Sequence, residues 1–268
     1  MLGDSPENPI RCSQISDFAK CTMRIYLVSE LLEGIESVGG VAAQTGSLTH
    51  VGVAEFHRLQ AQSVDQRRKA AWDAIAASRH LFPQADLDET RLFLTPYMND
   101  PRNINAVCVS VEETFNFTLE PHDRDESRRL IYLQGTVDQI RNVNGSLFVY
   151  DLKTGKPSGW DMIHQYAYQF AGYVFAANSK YQNVEPGAII RNYGYRARSA
   201  NGESPDGIFW HMPFNRAQCS DLLDTFRLAV AMVRNGEINF GPGNWCSYCE
   251  FQGLQGCMGR YQNLTVMR

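Results

Sequence analysis

The chain has 268 residues, of which 44% are hydrophobic and 20% charged, and a formal net charge of −4. This length and composition exclude a disordered chain and predict one domain, 1–268, with a large core. The negative charge excludes nucleic-acid binding by overall charge, so any such contact needs a local basic patch. Without a signal-peptide pattern or a membrane-length apolar run, we expect a cytoplasmic protein that binds no membrane.

The first two predicted elements are helices. Apolar residues recur at helical spacing over 13–34, and Cys21 falls inside this helix. A second helix, from Gln44 to about Ser63, carries His50 in Gly46-Ser-Leu-Thr-His50. A neutral imidazole can ligate a metal, but a lone His on a helix is more often structural, and His57 has less support as a ligand.

Two further helices, over 66–80 and within 84–104, precede a predicted catalytic core over 106–195. Its first strand, 106–119, alternates apolar and polar residues. Glu112 and Glu113 are adjacent in this strand. Glu112 is a candidate to bind or orient a metal, Glu113 competes with it for that position, and surface exposure is the default for both.

The strongest local pattern is a hairpin whose strands, 129–141 and 146–153, flank Asn144-Gly145. Asn-Gly favours a tight hairpin turn because both residues tolerate positive φ. Asp138 interrupts the first strand and Asp151 the second. Lys153 lies two residues after Asp151, so both side chains share one face. Two acids and an ammonium between apolar strands are costly unless a divalent cation neutralises the acids.

A helix over 160–180 follows, and its Gln169 and Tyr173 are four residues apart, hence neighbours on one face. Gln165 is an alternative to Gln169. The next strand, 186–195, is predicted to pair with 208–214 as a hairpin. Arg191, Arg196 and Arg198 make a local basic patch here, which suits phosphate contact as well as an exposed charged edge.

The sequence has seven cysteines, an odd number that argues against a disulfide framework. Cys246, Cys249 and Cys257 lie in a Gly-rich segment, within 237–268, after a helix over 218–235. Such spacing indicates a metal site, and a fourth ligand must come from elsewhere in the chain. Cys21 meets this requirement, with Cys12 as its rival. Zinc is the alternative to an iron–sulfur cluster.

Five short motifs, from Ser13 to Cys257, resemble the PD-(D/E)XK nuclease superfamily. They are the Cys21 region, Gly46-x-x-x-His50, Gly135-x-Val-Asp138 with Asp151-Leu-Lys153, Gln169-x-x-x-Tyr173 and the late cysteines. More narrowly, they are similar to the RecB-like branch, including an iron–sulfur CRISPR-adaptation exonuclease and AddB-type nuclease domains. Thr22 departs from the usual Pro, and the gap from Cys249 to Cys257 is longer than usual.

The resemblance implies a site and its cofactors. Mg²⁺ or Mn²⁺ is expected on His50, Asp138, Asp151 and the Leu152 carbonyl, with Lys153, Gln169 and Tyr173 completing the catalytic set. A 4Fe–4S cluster is expected on Cys21, Cys246, Cys249 and Cys257. Arg191, Arg196, Arg198 and Tyr173 are the expected DNA contacts.

The predicted fold is α/β: a central mixed sheet flanked by helices, with an iron–sulfur module joining the two ends of the chain. The predicted function is metal-dependent DNA cleavage, by an exonuclease on single-stranded ends more than by an endonuclease. A helicase, recombinase or integrase would be a fitting partner. The alternatives are a DNA-binding or recombination accessory protein with little turnover, and a redox-sensing module of the same fold.

Overall fold

In the computed structural model, the described residues are 3–22, 40–154, 161–191 and 208–237. They contain a six-stranded mixed sheet. Its strands are β1 (Ile10–Arg11), β2 (Val107–Leu119), β3 (Ile131–Val143), β4 (Ser146–Lys153), β5 (Val184–Arg191) and β6 (Ile208–His211). The mixed sheet predicted from the sequence is therefore confirmed.

Seven α-helices lie within these described ranges. They are α1 (Ile15–Lys20), α2 (Val41–Arg58), α3 (Val64–Ser78), α4 (Leu87–Asn99), α5 (Pro101–Ile104), α6 (Asp161–Asn178) and α7 (Arg216–Arg234). Each predicted helix after the first has a counterpart, with ends shifted by a few residues. No helix in this part of the chain combines the length and apolarity needed to cross a membrane.

The β3–β4 hairpin forms as its sequence predicts. Asn144 and Gly145 have φ of 54° and 89°, the left-handed pair that a two-residue turn requires, and Val143 pairs with Ser146 beside it. Strand β2 runs antiparallel to β3, whereas β1 runs parallel to it. Helix α6 then crosses from β4 to the parallel strand β5, and β6 returns antiparallel. This crossover brings α6 against the strands that carry the acids.

The sheet separates two hydrophobic cores. On one face, Ile15 and Phe18 pack with Phe170 of α6 and Phe226 of α7. The other face is covered by α2, α3 and α4, with Phe56, Leu94 and Tyr97 among its fully buried side chains. Successive residues of β5 enter opposite cores, as in a central strand covered on both sides: Ile189 enters the first core and Ile190 the second.

Within the described residues, the predicted N-terminal helix over 13–34 is interrupted at Cys21. Helix α1 ends at Lys20, and Cys21 has extended backbone, with φ −161° and ψ 101°, after its N–H bonds to Asp17 O. Apolar spacing indicates which face is buried, but it does not fix where the backbone leaves the helix. Residues 23–39 lie outside the described residues, as do Cys246, Cys249 and Cys257 with the rest of 238–268.

Candidate active site

Asp138 lies where the ladder between β3 and β4 stops. The last pair is Gln139 with Tyr150. There the Asp138 Oδ2 accepts a hydrogen bond from the Leu152 N–H at 2.5 Å. The other oxygen, Oδ1, lies 3.5 Å from His50 Nδ1. One carboxylate thus fixes the end of the hairpin and faces helix α2.

Glu112 reaches the same place from β2. Val111 pairs with Gln139 and Glu113 with Val137, so Glu112 stands opposite Asp138. Its φ of 49° is left-handed, an unusual and strained conformation for this residue type. The Glu112 Oε1 lies 3.2 Å from His50 Nδ1. Among the described residues, His50, Glu112 and Asp138 form the one group able to hold a metal ion, with ligand atoms within 4.8 Å of each other.

Asp151, which is buried, and Lys153, which is partly exposed, form an ion pair beside this group. Asp151 is 1% exposed, and its oxygens lie 2.8 and 3.1 Å from Lys153 Nζ. The prediction that both share a face is confirmed. On α6, Gln169 Nε2 lies 3.4 Å from Asp151 Oδ1 and donates to the Tyr173 hydroxyl at 2.6 Å. The predicted Gln169–Tyr173 pairing therefore exists, and it faces Asp151.

The charges of these groups are mutually dependent. Burial raises the pKa of Asp151 to about 6, with the Asp138 charge adding to the shift and Lys153 opposing it. Burial would also raise the pKa of Asp138, but His50, Lys153 and the Leu152 N–H hold that pKa below its usual value. For His50, burial alone would lower the pKa, yet Asp138 and Glu112 raise it well above its usual value.

The donor set fits a hard divalent cation. Carboxylates and one imidazole suit Mg²⁺ or Mn²⁺, and two acids share this confined place with Asp151. Asp151 Oδ2 is buried, and among the described residues no donor reaches it in hydrogen-bond geometry, although Lys153 Nζ is close. A carboxylate oxygen close to one ammonium still has a lone pair that can ligate a cation.

A cleft of about 570 Å³ opens beside these residues, between α2 and the ends of β4 and β5. Lys153, Tyr166 and Arg191 line it, with Arg58 at the C-terminal end of α2. Arg191 is 4% exposed and lies near the Trp210 ring, so it faces the cleft and not open solvent. Arg196 and Arg198 lie outside the described residues.

The sequence did not decide between Glu112 and Glu113, and it did not indicate the cleft residues Tyr166 and Arg58. Glu113 bonds to Lys180 and Tyr181, whereas Glu112 faces His50. The distinguishing signal is the register opposite Asp138, which a single strand does not reveal. Tyr166 has its ring 4.8 Å from Lys153 Nζ, and Arg58 continues the His50 face of α2. His57, the weaker ligand candidate, bonds instead to the Tyr97 hydroxyl in the core.

The described cysteines are unequal candidates for a cluster. Cys12 is buried, and a Cβ added at Gly135 or Gly172 would lie 2.6 or 2.8 Å from its Sγ. Burial raises the pKa of the Cys12 thiol. Cys21 is half-buried at the end of α1. Since thiolates are the ligating form, Cys12 suits the core and Cys21 remains the better ligand candidate.

Comparison with known proteins gave a family model and a set of solved structures. A family model described as the PD-(D/E)XK nuclease superfamily matches residues 10–254. The solved structure titled "Crystal structure of SSO0001" is 15% identical, with a TM-score of 0.48, over 94% of this chain and 88% of that chain. No curated protein matches the chain. The family match spans all candidate site residues from His50 to Tyr173.

Proposed function

Since the chain belongs to the PD-(D/E)XK nuclease superfamily, we propose that it is a metal-dependent deoxyribonuclease that hydrolyses phosphodiester bonds. One observation carries the proposal: His50, Glu112 and Asp138 converge beside the Asp151–Lys153 ion pair. A DNA-binding accessory protein has no need for three carboxylates and an imidazole where a phosphate must approach. We further propose that it is an exonuclease acting on single-stranded ends.

His50, Glu112, Asp138 and Asp151 would hold Mg²⁺ or Mn²⁺, with the Leu152 carbonyl as a further oxygen ligand. Glu112 joins the set expected from the sequence because of its place beside His50. Such an ion supplies Lewis acidity toward the phosphate and lowers the pKa of water.

The protein side chains supply positioning and charge. The Lys153 ammonium pairs with Asp151. Burial would lower the pKa of Lys153, but Asp151 and Asp138 raise it, so the side chain stays protonated. It is placed to stabilise negative charge on the reacting phosphate or to orient the attacking water. Gln169 and Tyr173 limit the freedom of Asp151 from the α6 side.

The cleft supports the proposed substrate. Lys153 and Arg191 place two positive groups on one wall, and Tyr166 provides an aromatic face beside them. Such a combination suits a flexible single strand, whose phosphates and bases are both accessible. We propose that Arg196 and Arg198 extend this contact. A helicase, recombinase or integrase partner would supply the ends.

The nuclease proposal is tested with end-labelled single-stranded and double-stranded DNA, with and without Mn²⁺ or Mg²⁺. Asp151→Asn and Lys153→Ala should each lower cleavage about 100-fold or more, as for loss of a group that stabilises transition-state charge. Lys69→Ala is the matched control, because Lys69 pairs with Asp73 on the exposed side of α3. Circular single-stranded DNA should survive an exonuclease. Wild-type cleavage rates in folded Asp151→Asn and Lys153→Ala would refute the assignment.

We also propose a 4Fe–4S cluster on Cys21, Cys246, Cys249 and Cys257, with Cys12, Cys108 and Cys219 as free thiols. Thiolates are the usual ligands of such clusters, and the site would tie the two ends of the chain together. The burial of Cys12 supports Cys21 as the fourth ligand. Anaerobically purified protein should be brown, and Cys21→Ala should lose iron while Cys12→Ala retains it. Colourless protein with stoichiometric zinc would contradict the iron–sulfur cluster and leave the nuclease proposal intact.

A further inference from the structure

A set of buried polar side chains surrounds the hydroxyl of Tyr97. His57 Nε2 lies 2.7 Å from this oxygen, Gln139 Nε2 2.9 Å and an Arg141 guanidinium nitrogen 3.2 Å. The Tyr97 side chain is fully buried. The following residues, called the Tyr97 network below, are joined in this way: His57, Tyr97, Asn103, Cys108, Gln139 and Arg141.

The hydrogens of this network can be assigned by counting donors. The Tyr97 oxygen accepts from Gln139 and Arg141, so its own hydrogen is directed to His57 Nε2. The remaining His57 N–H, on Nδ1, faces Cys108 Sγ at 3.4 Å. The Cys108 thiol donates to Gln139 Oε1 at 3.8 Å, which closes the ring.

Arg141 completes the arrangement from the strand side. Its Nε donates to Gln139 Oε1 at 2.7 Å, and its terminal nitrogen donates to Asn103 Oδ1 at 3.0 Å. Burial, together with the charges of Arg141 and Arg67, lowers the pKa of His57 well below its usual value, so the imidazole is neutral as the count requires. A fully bonded buried network fixes one geometry, because any shift leaves a polar group unpaired.

The network joins the same elements that present the candidate metal ligands. His57 lies in α2 with His50, seven residues away and about 10 Å along the helix axis. Gln139 directly follows Asp138 in β3, and Cys108 lies in β2 with Glu112. Each of the three candidate ligands therefore has a network member in its own helix or strand.

A second set of hydrogen bonds links the end of α2 to β2. Gln60, just beyond the end of α2, donates to Cys108 O at 2.6 Å and accepts from Cys108 N at 3.0 Å. The register of β2 against β3 shifts between Cys108 and Ser110, close to these hydrogen bonds. Apolar packing is non-directional, so these polar contacts are what specify the separation of helix and strands.

We propose that the Tyr97 network is a positioning device that sets the spacing of His50, Glu112 and Asp138 for a divalent cation. This inference rests on the proposed metal site, and it assigns His57, Tyr97 and Gln139 as positioning residues that touch neither the cation nor DNA. Groups bonded directly to metal ligands typically change metal affinity 10- to 100-fold when they are removed, and the Tyr97 network acts on the ligands through the helix and strands that carry them.

The test is titration of chelator-treated protein with Mn²⁺ in the absence of DNA. Binding is measured by calorimetry or by the decrease in the electron paramagnetic resonance signal of free Mn²⁺. Tyr97→Phe removes only the hydroxyl and leaves the ring among Phe56, Phe93 and His57. Its Mn²⁺ dissociation constant should rise about tenfold or more. With DNA added, saturating Mn²⁺ should restore most of the turnover.

Ile75→Val is the matched control, because Ile75 is buried in the same core and makes only apolar contacts with the α2 side. It should lower the thermal midpoint by several degrees and leave the Mn²⁺ dissociation constant within about twofold of the wild type. Equal Mn²⁺ affinity in Tyr97→Phe and wild type, or an equal loss in both variants, overturns the positioning role. A wild type that binds no Mn²⁺ overturns the metal site, and the inference with it.

If Tyr97→Phe does not fold, His57→Gln and His57→Leu carry the same test. The Gln amide can keep a hydrogen bond to the Tyr97 hydroxyl, so His57→Gln should retain more Mn²⁺ affinity than His57→Leu by about tenfold. Equal affinities in the two variants overturn the proposal.

Discussion

At the scale of single residues, Asp151 carries a charge that the fold disfavours. It is 1% exposed, and burial raises its pKa from 3.8 to about 6 in spite of the Lys153 ammonium. A carboxylate whose ionised form is disfavoured in the folded state lowers stability at neutral pH. We expect this cost to be offset when a cation binds, so the residue serves activity at the expense of the metal-free protein.

Asp151→Asn should therefore stabilise the metal-free protein while it abolishes cleavage. The contribution of Asp151 favours folding below its unfolded pKa near 3.8 and is lost as the pH rises through about 6. The gain in unfolding free energy should thus be on the order of 2 kcal/mol at pH 7.5 and shrink toward pH 4.5. Urea unfolding with chelator at both pH values measures it. A variant less stable than wild type at pH 7.5 would contradict the prediction.

The adjacent acids Glu112 and Glu113 provide a matched pair. Glu112 lies 3.2 Å from His50 Nδ1, whereas Glu113 bonds to Lys180 and Tyr181. Glu112→Gln should weaken Mn²⁺ binding about tenfold or more, since it removes one charged oxygen ligand. Glu113→Gln should leave the Mn²⁺ affinity unchanged and only loosen the contact with Lys180. Calorimetric titration of both variants decides, and similar losses in the two would remove Glu112 from the ligand set.

At the scale of elements, the close approach of α6 to β3 depends on two glycines, Gly135 and Gly172. A Cβ at Gly135 would lie 2.6 Å from Cys12 Sγ and 3.0 Å from Tyr173 Cε1, and one at Gly172 would lie 2.8 Å from the same sulfur. These glycines let the helix lie close enough for Gln169 to reach Asp151. The distance from helix to sheet is thus a requirement of the site as well as of the core.

Gly135→Ala should lower stability by about 1–3 kcal/mol through overpacking, and it should lower cleavage by displacing Tyr173. Adding Cys12→Ala should recover part of both losses, because the new methyl group then occupies the space of the sulfur. Gly40→Ala is the control, since nothing lies within 4 Å of its added Cβ. Urea unfolding of the single and double variants measures the coupling. Purely additive losses would show that the clash with Cys12 is not the cause.

The elements that follow short-range rules were predictable from the sequence. Asn144-Gly145 fixes its turn locally, and the spacings of Asp151 to Lys153 and of Gln169 to Tyr173 fix their shared faces. The Tyr97 network was not predictable, because its hub bonds to residues 40 and 42 positions away. The same holds for the choice of Glu112 over Glu113, which depends on pairing with β3. Periodicity reports burial, and it cannot report the partner.

At the scale of the whole molecule, Arg234 connects three distant parts of the chain. Its side chain is fully buried, with nitrogens 2.8 Å from both Asp4 and Asp125. It also donates to the carbonyl oxygens of Arg129 and Leu130 at 2.6 and 3.0 Å. The N-terminal segment, the loop before β3 and the end of α7 are therefore held by one guanidinium, on the side of the α1–α6–α7 core.

Arg234→Met should destabilise the protein by about 3–5 kcal/mol, because it removes the guanidinium that pairs with the fully buried Asp125 carboxylate. Arg234→Lys should also destabilise it, since an ammonium has three donors and cannot reproduce the planar fork. Adding Asp125→Asn to Arg234→Met should recover part of the loss, as the unpaired charge is then removed.

The Mn²⁺ affinity of the folded variants should equal that of the wild type, because Arg234 contacts none of the candidate ligands in the described residues. Urea unfolding and Mn²⁺ titration on the same samples separate the two effects. A large loss of Mn²⁺ affinity in Arg234→Lys, with little loss of stability, would show that this junction acts on the active site and not on the fold.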